Sequence, residues 1–172
     1  MPPLFPPGTD LPAHQPNCFG CGPRNQAGLH LRCHATKDGV AGRFMLEERH
    51  EGGPGLAHGG IVAAVLDDLL GFLLYHLGAP MVTARLEIDF RRPLPLEVEV
   101  DAVARIVSTE GRKVWTEGEL RDSDGTVYAA ARGLFVRVDP GHFARVSRNA
   151  ANRIAMWQLA EGSEAGPGPV GP

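Results

Sequence analysis

The sequence predicts an α+β domain in which a curved antiparallel sheet wraps around one central helix. The helix is indicated by an apolar stretch at residues 59–77, where only Asp67 and Asp68 carry charge between Ile61 and Tyr75. The sheet is indicated by four segments of alternating apolar and polar residues that follow the helix with short connections. Short connections join antiparallel neighbours, and a sheet with one apolar face can cover a helix.

Local patterns place the individual elements. Gly78-Ala79-Pro80 ends the helix, because glycine readily adopts the left-handed closing conformation and proline cannot continue a helix. Strict alternation in the first strand after the helix puts Thr83 on the polar face. Two strands are expected before the helix, at residues 29–35 and 40–46, and four after it, at 82–91, 96–106, 114–120 and 126–138.

Length and composition suit one domain, at residues 17–140, in a chain of 172 residues that is 43% hydrophobic. The proline-rich residues 1–16 are expected to be a flexible tail and residues 161–172 a disordered one. Residues 141–160 are expected to form a helical extension.

Charge and cysteine content indicate partners and compartment. A net charge of −3 without a long basic run argues against nucleic acid. The apolar run at residues 61–66 is too short to span a bilayer, and residues 1–16 lack the apolar core of a secretory signal. Three cysteines make no even disulfide framework, so we expect a cytoplasmic protein with no membrane partner.

Two features of the helix are parts of a hydrolytic site. Gly59 and Gly60 leave backbone N–H groups unshielded at its start, and Asp67 is an acid within its apolar stretch. Asp67 lies about 12 Å from Gly59 along the axis, so one small carbonyl group cannot contact both. An antiparallel copy of the helix would bring Asp67 of one subunit to Gly59 of the other. The helix is also apolar nearly all round, so we expect an obligate homodimer, with a tetramer left open.

Three motifs carry a resemblance to a known family. They are Cys18-Phe-Gly-Cys-Gly-Pro-Arg-Asn-Gln-Ala-Gly-Leu, Pro54-Gly-Leu-Ala-His-Gly-Gly followed by Asp67, and Phe90-Arg-Arg-Pro-Leu. Through them the chain resembles the hot-dog-fold acyl-CoA thioesterases, in the branch similar to the PaaI-like phenylacetate-pathway proteins. The resemblance implies hydrolysis of acyl-CoA to a free acid and CoA, with no cofactor beyond the CoA of the substrate.

The resemblance also implies residue roles. Asp67 stands where the family has its nucleophile or general base. Gly59 stands where the family has the N–H donor to the thioester carbonyl, with Gly60 beside it. His58 is expected to shape this region, and Thr83 is the small hydroxyl residue expected to assist the water or the acid.

Two basic pairs are candidates for binding the CoA phosphates, because guanidinium groups bind phosphate through paired hydrogen bonds. The pairs are Arg91 with Arg92 and Arg112 with Lys113. A solvated rim is the other interpretation of these four residues.

Two other functions stay open. Some relatives carry Asn or Gln where this chain has Gly52-Gly53, and the absence of that side chain would favour a non-catalytic acyl-CoA-binding protein. Dehydration of hydroxyacyl thioesters is less favoured, because such relatives place a catalytic Asp and His on one helix segment. Here His58 precedes the helix and His76 lies near its end.

One CxxC pair, Cys18 and Cys21, raises the question of a metal. Because a second pair is absent from the sequence, we expect a simple turn with no metal. Asp68, rotated by about 100° from Asp67, is expected to reach polar surroundings. Further zinc ligands, if present, would come from His14, His30, Cys33 or His34.

Overall fold

A computed structural model describes residues 5–139 and 141–143. Strands β1 (Cys33–Ala35) and β2 (Gly39–Met45) form a hairpin, and β3 (Glu51–Gly53) and β4 (Leu56–Ala57) form a second, shorter one. Helices α1 (Gly59–Gly71) and α2 (Leu74–Leu77) follow. Four long strands complete the fold, namely β5 (Met81–Phe90), β6 (Glu99–Glu110), β7 (Lys113–Arg121) and β8 (Val127–Arg137).

Six strands form one antiparallel sheet in the order β1-β2-β6-β7-β8-β5, and α1 packs across it. Glycine lets the helix approach the central strands closely: a Cβ at Gly133 would lie 3.0 Å from Cδ1 of Leu70. Apolar side chains of the helix and the strands form the core, among them Val65, Leu66, Leu69, Val100, Val114 and Leu120. The predicted α+β architecture, a sheet around one central helix, is therefore confirmed.

The main helix is shorter than the predicted 59–77, because α1 ends at Gly71 and α2 is a separate turn. Gly78 closes α2 in the left-handed conformation, with φ of 60°, as the sequence indicated. By length and mean hydropathy (1.7) the span Gly59–Leu77 would fit a bilayer, but half of it is buried inside the domain. A core helix passes the same test, so this is weak evidence for a membrane span.

Residues 5–16 do not form the flexible tail expected from their proline content. The N–H of Gly8 donates to the carbonyl of Ala35 (2.7 Å) and that of Leu11 to the carbonyl of Cys33 (2.9 Å), so the segment runs along β1. Leu11 is buried in the core. Proline does not prevent this pairing, because an outer segment uses only some of its N–H groups. The expected helix at 141–160 and tail at 161–172 lie outside the described residues, except for 141–143.

A β-bulge changes the direction of one side chain in β5. Thr83 pairs with Phe135 of β8 and Arg85 pairs with Leu134, so Ala84 is the extra residue. Phe135 is buried in the core, and residues directly opposite in antiparallel strands face the same side. Thr83 therefore faces the helix side of the sheet. The expectation that it lies on the polar face is wrong, because strict alternation fails at a bulge.

Candidate active site

Helix α1 begins with an N-cap provided by His58. The Nδ1 atom of His58 accepts a hydrogen bond from the N–H of Gly60 at 2.9 Å. Gly60 therefore does not offer the free donor expected of it. The exposed Gly59 has an N–H with no hydrogen-bond partner among the residues described. Gly59 thus keeps a donor for an oxygen ligand, at the positive end of the helix dipole.

Asp67 lies beside the start of β5. The Oγ1 atom of Thr83 donates a hydrogen bond of 2.9 Å to Oδ1 of Asp67, while Oδ2 accepts none from the described residues. Asp67 is half-buried and Thr83 is exposed. Although Asp67 belongs to an apolar stretch of the sequence, one chain therefore does not bury it fully. What the site offers is an oriented carboxylate with one open oxygen.

Asp67 and Gly59 lie near opposite ends of β5. A Cβ at Gly59 would lie 3.7 Å from Cε1 of Phe90, the last residue of β5, whereas Thr83 near its start contacts Asp67. Along α1 the two residues are about 12 Å apart. Within one protomer, Asp67 and Gly59 are therefore too far apart to form one site. The side chain of Phe90, beside Gly59, is 57% exposed.

The β3–β4 hairpin packs against the helix start. A Cβ at Gly52 would lie only 2.6 Å from Cα of His58, so a larger residue does not fit there on this backbone. Gly53 has open space, with its nearest neighbour, Cδ1 of Leu56, at 3.9 Å. Glycine at position 52 thus lets the hairpin pack directly against His58.

His50 is hydrogen-bonded to the residue that caps helix α1. Its carbonyl accepts the N–H of His58 (2.8 Å), and its Nδ1 accepts the N–H of Glu47 (3.0 Å). Burial lowers the pKa of His50, and the neighbouring Arg49 lowers it further, against a smaller opposing effect of Glu47. The neutral imidazole is therefore the favoured form where this loop meets the helix.

Asp68 is the buried acid of α1, with a side chain only 10% exposed. Its Oδ1 lies 3.1 Å from Nδ1 of His14 and 3.3 Å from Sγ of Cys18. Sγ of Cys21 lies 3.2 Å from Nδ1 of His14 and 3.7 Å from the same Oδ1. We call these four residues the Asp68 cluster. Of the candidate ligands expected from the sequence, only His14 joins the two cysteines, and Asp68 was missed because it is distant in sequence.

Burial and hydrogen bonds oppose each other in the Asp68 cluster. Burial lowers the pKa of His14, but hydrogen bonds to Asp68 and Cys18 raise it to about 9. The contact with Cys21 lowers the pKa of the Cys18 thiol to about 3, whereas that contact and burial raise the pKa of Cys21. Burial also raises the pKa of Asp68, against the effect of His14. Burial and mutual hydrogen bonds thus shift the pKa of every member of the cluster.

The structure separates the two basic pairs within one chain, although all four side chains are exposed. The N–H groups of Arg91 and Arg92 both donate to the carbonyl of Tyr128, at the start of β8. Lys113 pairs with Val136 near the other end of β8. That length of strand spans about 26 Å. One protomer therefore does not present both pairs to one phosphate group.

A cavity of about 860 Å³ opens on the sheet away from Asp67 and Gly59. The residues of one row across four strands line it, with charges of alternating sign: Arg105, Glu117, Arg132 and Glu87. Neighbouring opposite charges compensate each other, so this surface does not select an anionic ligand.

Known proteins match the chain in its central part. Residues 54–129 match the thioesterase superfamily. The acyl-coenzyme A thioesterase THEM4 of Bos taurus is 40% identical over 91 residues, covering 52% of this chain and 37% of the bovine protein. THEM4 of Xenopus laevis is 34% identical over 91 residues, covering 52% and 41%. The matched region thus spans well under half the length of these relatives.

Solved structures share the architecture. The crystal structure of a thioesterase superfamily protein has a TM-score of 0.66 and 34% identity, covering 70% of this chain and 60% of that one. The Escherichia coli PaaI protein from the phenylacetic acid degradation operon has a TM-score of 0.60 and 19% identity, covering 64% and 81%. Sheet and central helix agree with these solved structures: the chain has the hot-dog fold, and its residues 54–129 are similar to the thioesterase superfamily.

Proposed function

We propose that this protein hydrolyses acyl-CoA thioesters at two equivalent sites of a homodimer. The observation that carries the proposal is the Thr83–Asp67 hydrogen bond, which orients a carboxylate with one open oxygen. The free N–H of Gly59 supplies the second half of the chemistry. The name of the THEM4 relatives supports acyl-CoA as the substrate class.

The free edge of β5 supports the proposed dimer. This strand is ten residues long and, within the described part of the chain, is hydrogen-bonded on one side only, to β8. Long unpaired edges are ready templates for another strand. Antiparallel pairing of β5 with its own copy sets the start of each strand beside the end of the other. Asp67, near the start of β5, then faces the partner's Gly59, near the end of β5.

The reaction divides between the two subunits. The carbonyl oxygen of the thioester accepts the N–H of the partner's Gly59, and the helix dipole stabilises its growing negative charge by a few kcal/mol. The carboxylate of Asp67 takes a proton from water as the water oxygen attacks the carbonyl carbon. The C–S bond then breaks, and the thiolate of CoA receives the proton. Thr83 holds the carboxylate in position throughout.

The same dimer offers a surface for the CoA phosphates. Arg91 and Arg92 directly follow the end of β5. Arg112 and Lys113 lie beside the end of β8, which pairs with the start of β5. Antiparallel pairing therefore brings one pair of each kind, from different subunits, to the same end of the joined sheet. Exposed guanidinium and ammonium groups suit solvent-facing phosphates.

A thiol-release assay with aromatic, short-chain and long-chain acyl-CoAs tests the proposal. We expect release with at least one substrate, and a loss of more than about a hundredfold in Asp67→Asn, within the range of a general base. Asp124→Asn is the matched control, because Asp124 is an exposed acid in the β7–β8 turn. Saturable binding without release would instead identify a binding protein, and loss of water without release a dehydratase.

A further inference from the structure

We propose that His14, Cys18, Cys21 and Asp68 bind one Zn²⁺ ion that fastens the N-terminal segment to helix α1. The proposal does not depend on the thioesterase function, because it rests on the Asp68 cluster alone. Cysteine, histidine and aspartate are ligand types of Zn²⁺, and four protein ligands make a closed structural site. The sequence motif alone favoured a simple turn, because a second CxxC pair is absent from the sequence.

The distances within the cluster fit a tetrahedral ion. Bonds of about 2.3 Å to sulfur and about 2.0 Å to nitrogen or oxygen place the ligand atoms of a tetrahedron about 3.3–3.8 Å apart. In the cluster, four of these separations are 3.1, 3.2, 3.3 and 3.7 Å. All four ligand atoms lie within 4.8 Å of one another. For these four separations an ion at the centre needs shifts of a few tenths of an ångström, and for the other two about 1 Å or a little more at most.

Hydrogen bonds alone leave the cluster poorly satisfied. His14, Cys18 and Cys21 all converge on Oδ1 of Asp68. The other carboxylate oxygen, Oδ2, is buried without a hydrogen-bond partner in the described part of the chain, as is Nε2 of His14. Buried polar atoms are rarely left unpaired. A cation between the four ligand atoms would replace the shared hydrogens of these contacts and accept a lone pair from each atom.

The surroundings hold the ligands in place. The turn between the cysteines wraps Asp68 so closely that a Cβ at Gly20 would lie 2.1 Å from its Cγ. The N–H of His14 donates a hydrogen bond of 3.2 Å to Sγ of Cys21, which fixes the position of that sulfur. Arg32 donates to the carbonyl of Cys21 (3.4 Å). With two thiolates, one carboxylate and Zn²⁺, the site would have a net charge of −1. The positive charge of Arg32 lies beside it and would compensate that charge.

The zinc content of the reduced, tag-free full chain tests the site. We expect about one Zn²⁺ per chain, falling below about 0.1 in both Cys18→Ser and Asp68→Asn, because each removes a ligand. Cys33→Ala is the matched control, since Cys33 is a buried cysteine outside the cluster and zinc is expected to remain.

Cobalt uptake by the wild-type chain gives a second measurement, which does not depend on whether the variants fold. After the zinc is stripped with a chelator, titration with Co²⁺ should produce thiolate-to-cobalt absorption that saturates at about one equivalent. Stripping should also lower Tm. Absence of zinc with no cobalt uptake, a Cys18–Cys21 disulfide in the reduced preparation, or full zinc content in both ligand variants would overturn the proposal.

Discussion

The hydroxyl of Thr83 donates a hydrogen bond of 2.9 Å to the carboxylate of Asp67. The bulge at Ala84 makes this contact available, because it turns Thr83 toward the helix side of β5. A strand residue thereby orients an acid that helix α1 carries. The bond occupies Oδ1 and leaves Oδ2 without a hydrogen-bond partner among the described residues.

Replacing Thr83 with Val keeps the branched shape and removes the hydroxyl. We expect kcat to fall by about tenfold or more, because a hydrogen bond to a charged group contributes about 1.5–3 kcal/mol. KM should change little, and Thr83→Ser should retain most of the activity. Steady-state kinetics with the best acyl-CoA provide the measurement. A folded Thr83→Val variant with normal kcat would remove this hydroxyl from the mechanism.

Replacing Gly59 with Pro removes one backbone donor without disturbing the helix. Proline is favoured at the first position of a helix, and the extended backbone of His58 (φ −64°, ψ 134°) suits a residue before proline. We expect kcat to fall by about a hundredfold or more, as for other lost oxyanion donors. Gly59→Ala is the control, because a Cβ there meets Phe90 only at van der Waals distance. Equal kinetics in the two variants would count against the donor role.

Protonation of His50 should destabilise the fold. Burial lowers its folded pKa below the unfolded value of about 6.5, so the unfolded chain binds the proton more readily. Stability from this residue is complete above about pH 6.5 and is lost as pH falls toward the lowered pKa. Urea unfolding at pH 7.5 and 5.5 should show a smaller loss in His50→Asn than in the wild type. The exposed His34→Asn is the control, and identical losses in all three proteins would refute the assignment.

The architecture was predictable because it depends on patterns many residues long. The apolar helix and the alternating strands each repeat their pattern of apolar residues over many positions. A single residue that departs from the pattern therefore does not hide the element. The helix start at Gly59 and the left-handed Gly78 also follow from local chemistry. The match to the thioesterase superfamily agrees with the family indicated by the motifs.

Other features depend on tertiary contacts and were not predictable. The extra residue Ala84 places Thr83 on the helix side of the sheet instead of the polar side. The sequence pattern of β5 does not indicate this bulge. Asp67 and Asp68 look alike in sequence, but the N-terminal turn covers only Asp68. The capping of Gly60 by His58 likewise required coordinates.

The most direct test of the composite site is a heterodimer of Asp67→Asn with Gly59→Pro, isolated with two different affinity tags. If Asp67 acts with the partner's Gly59, one site combines both defects and the other has none. The account predicts about half of the wild-type activity per dimer, although each parent homodimer is inactive. A heterodimer as inactive as its parents, or a wild-type chain that is active as a monomer, would contradict it.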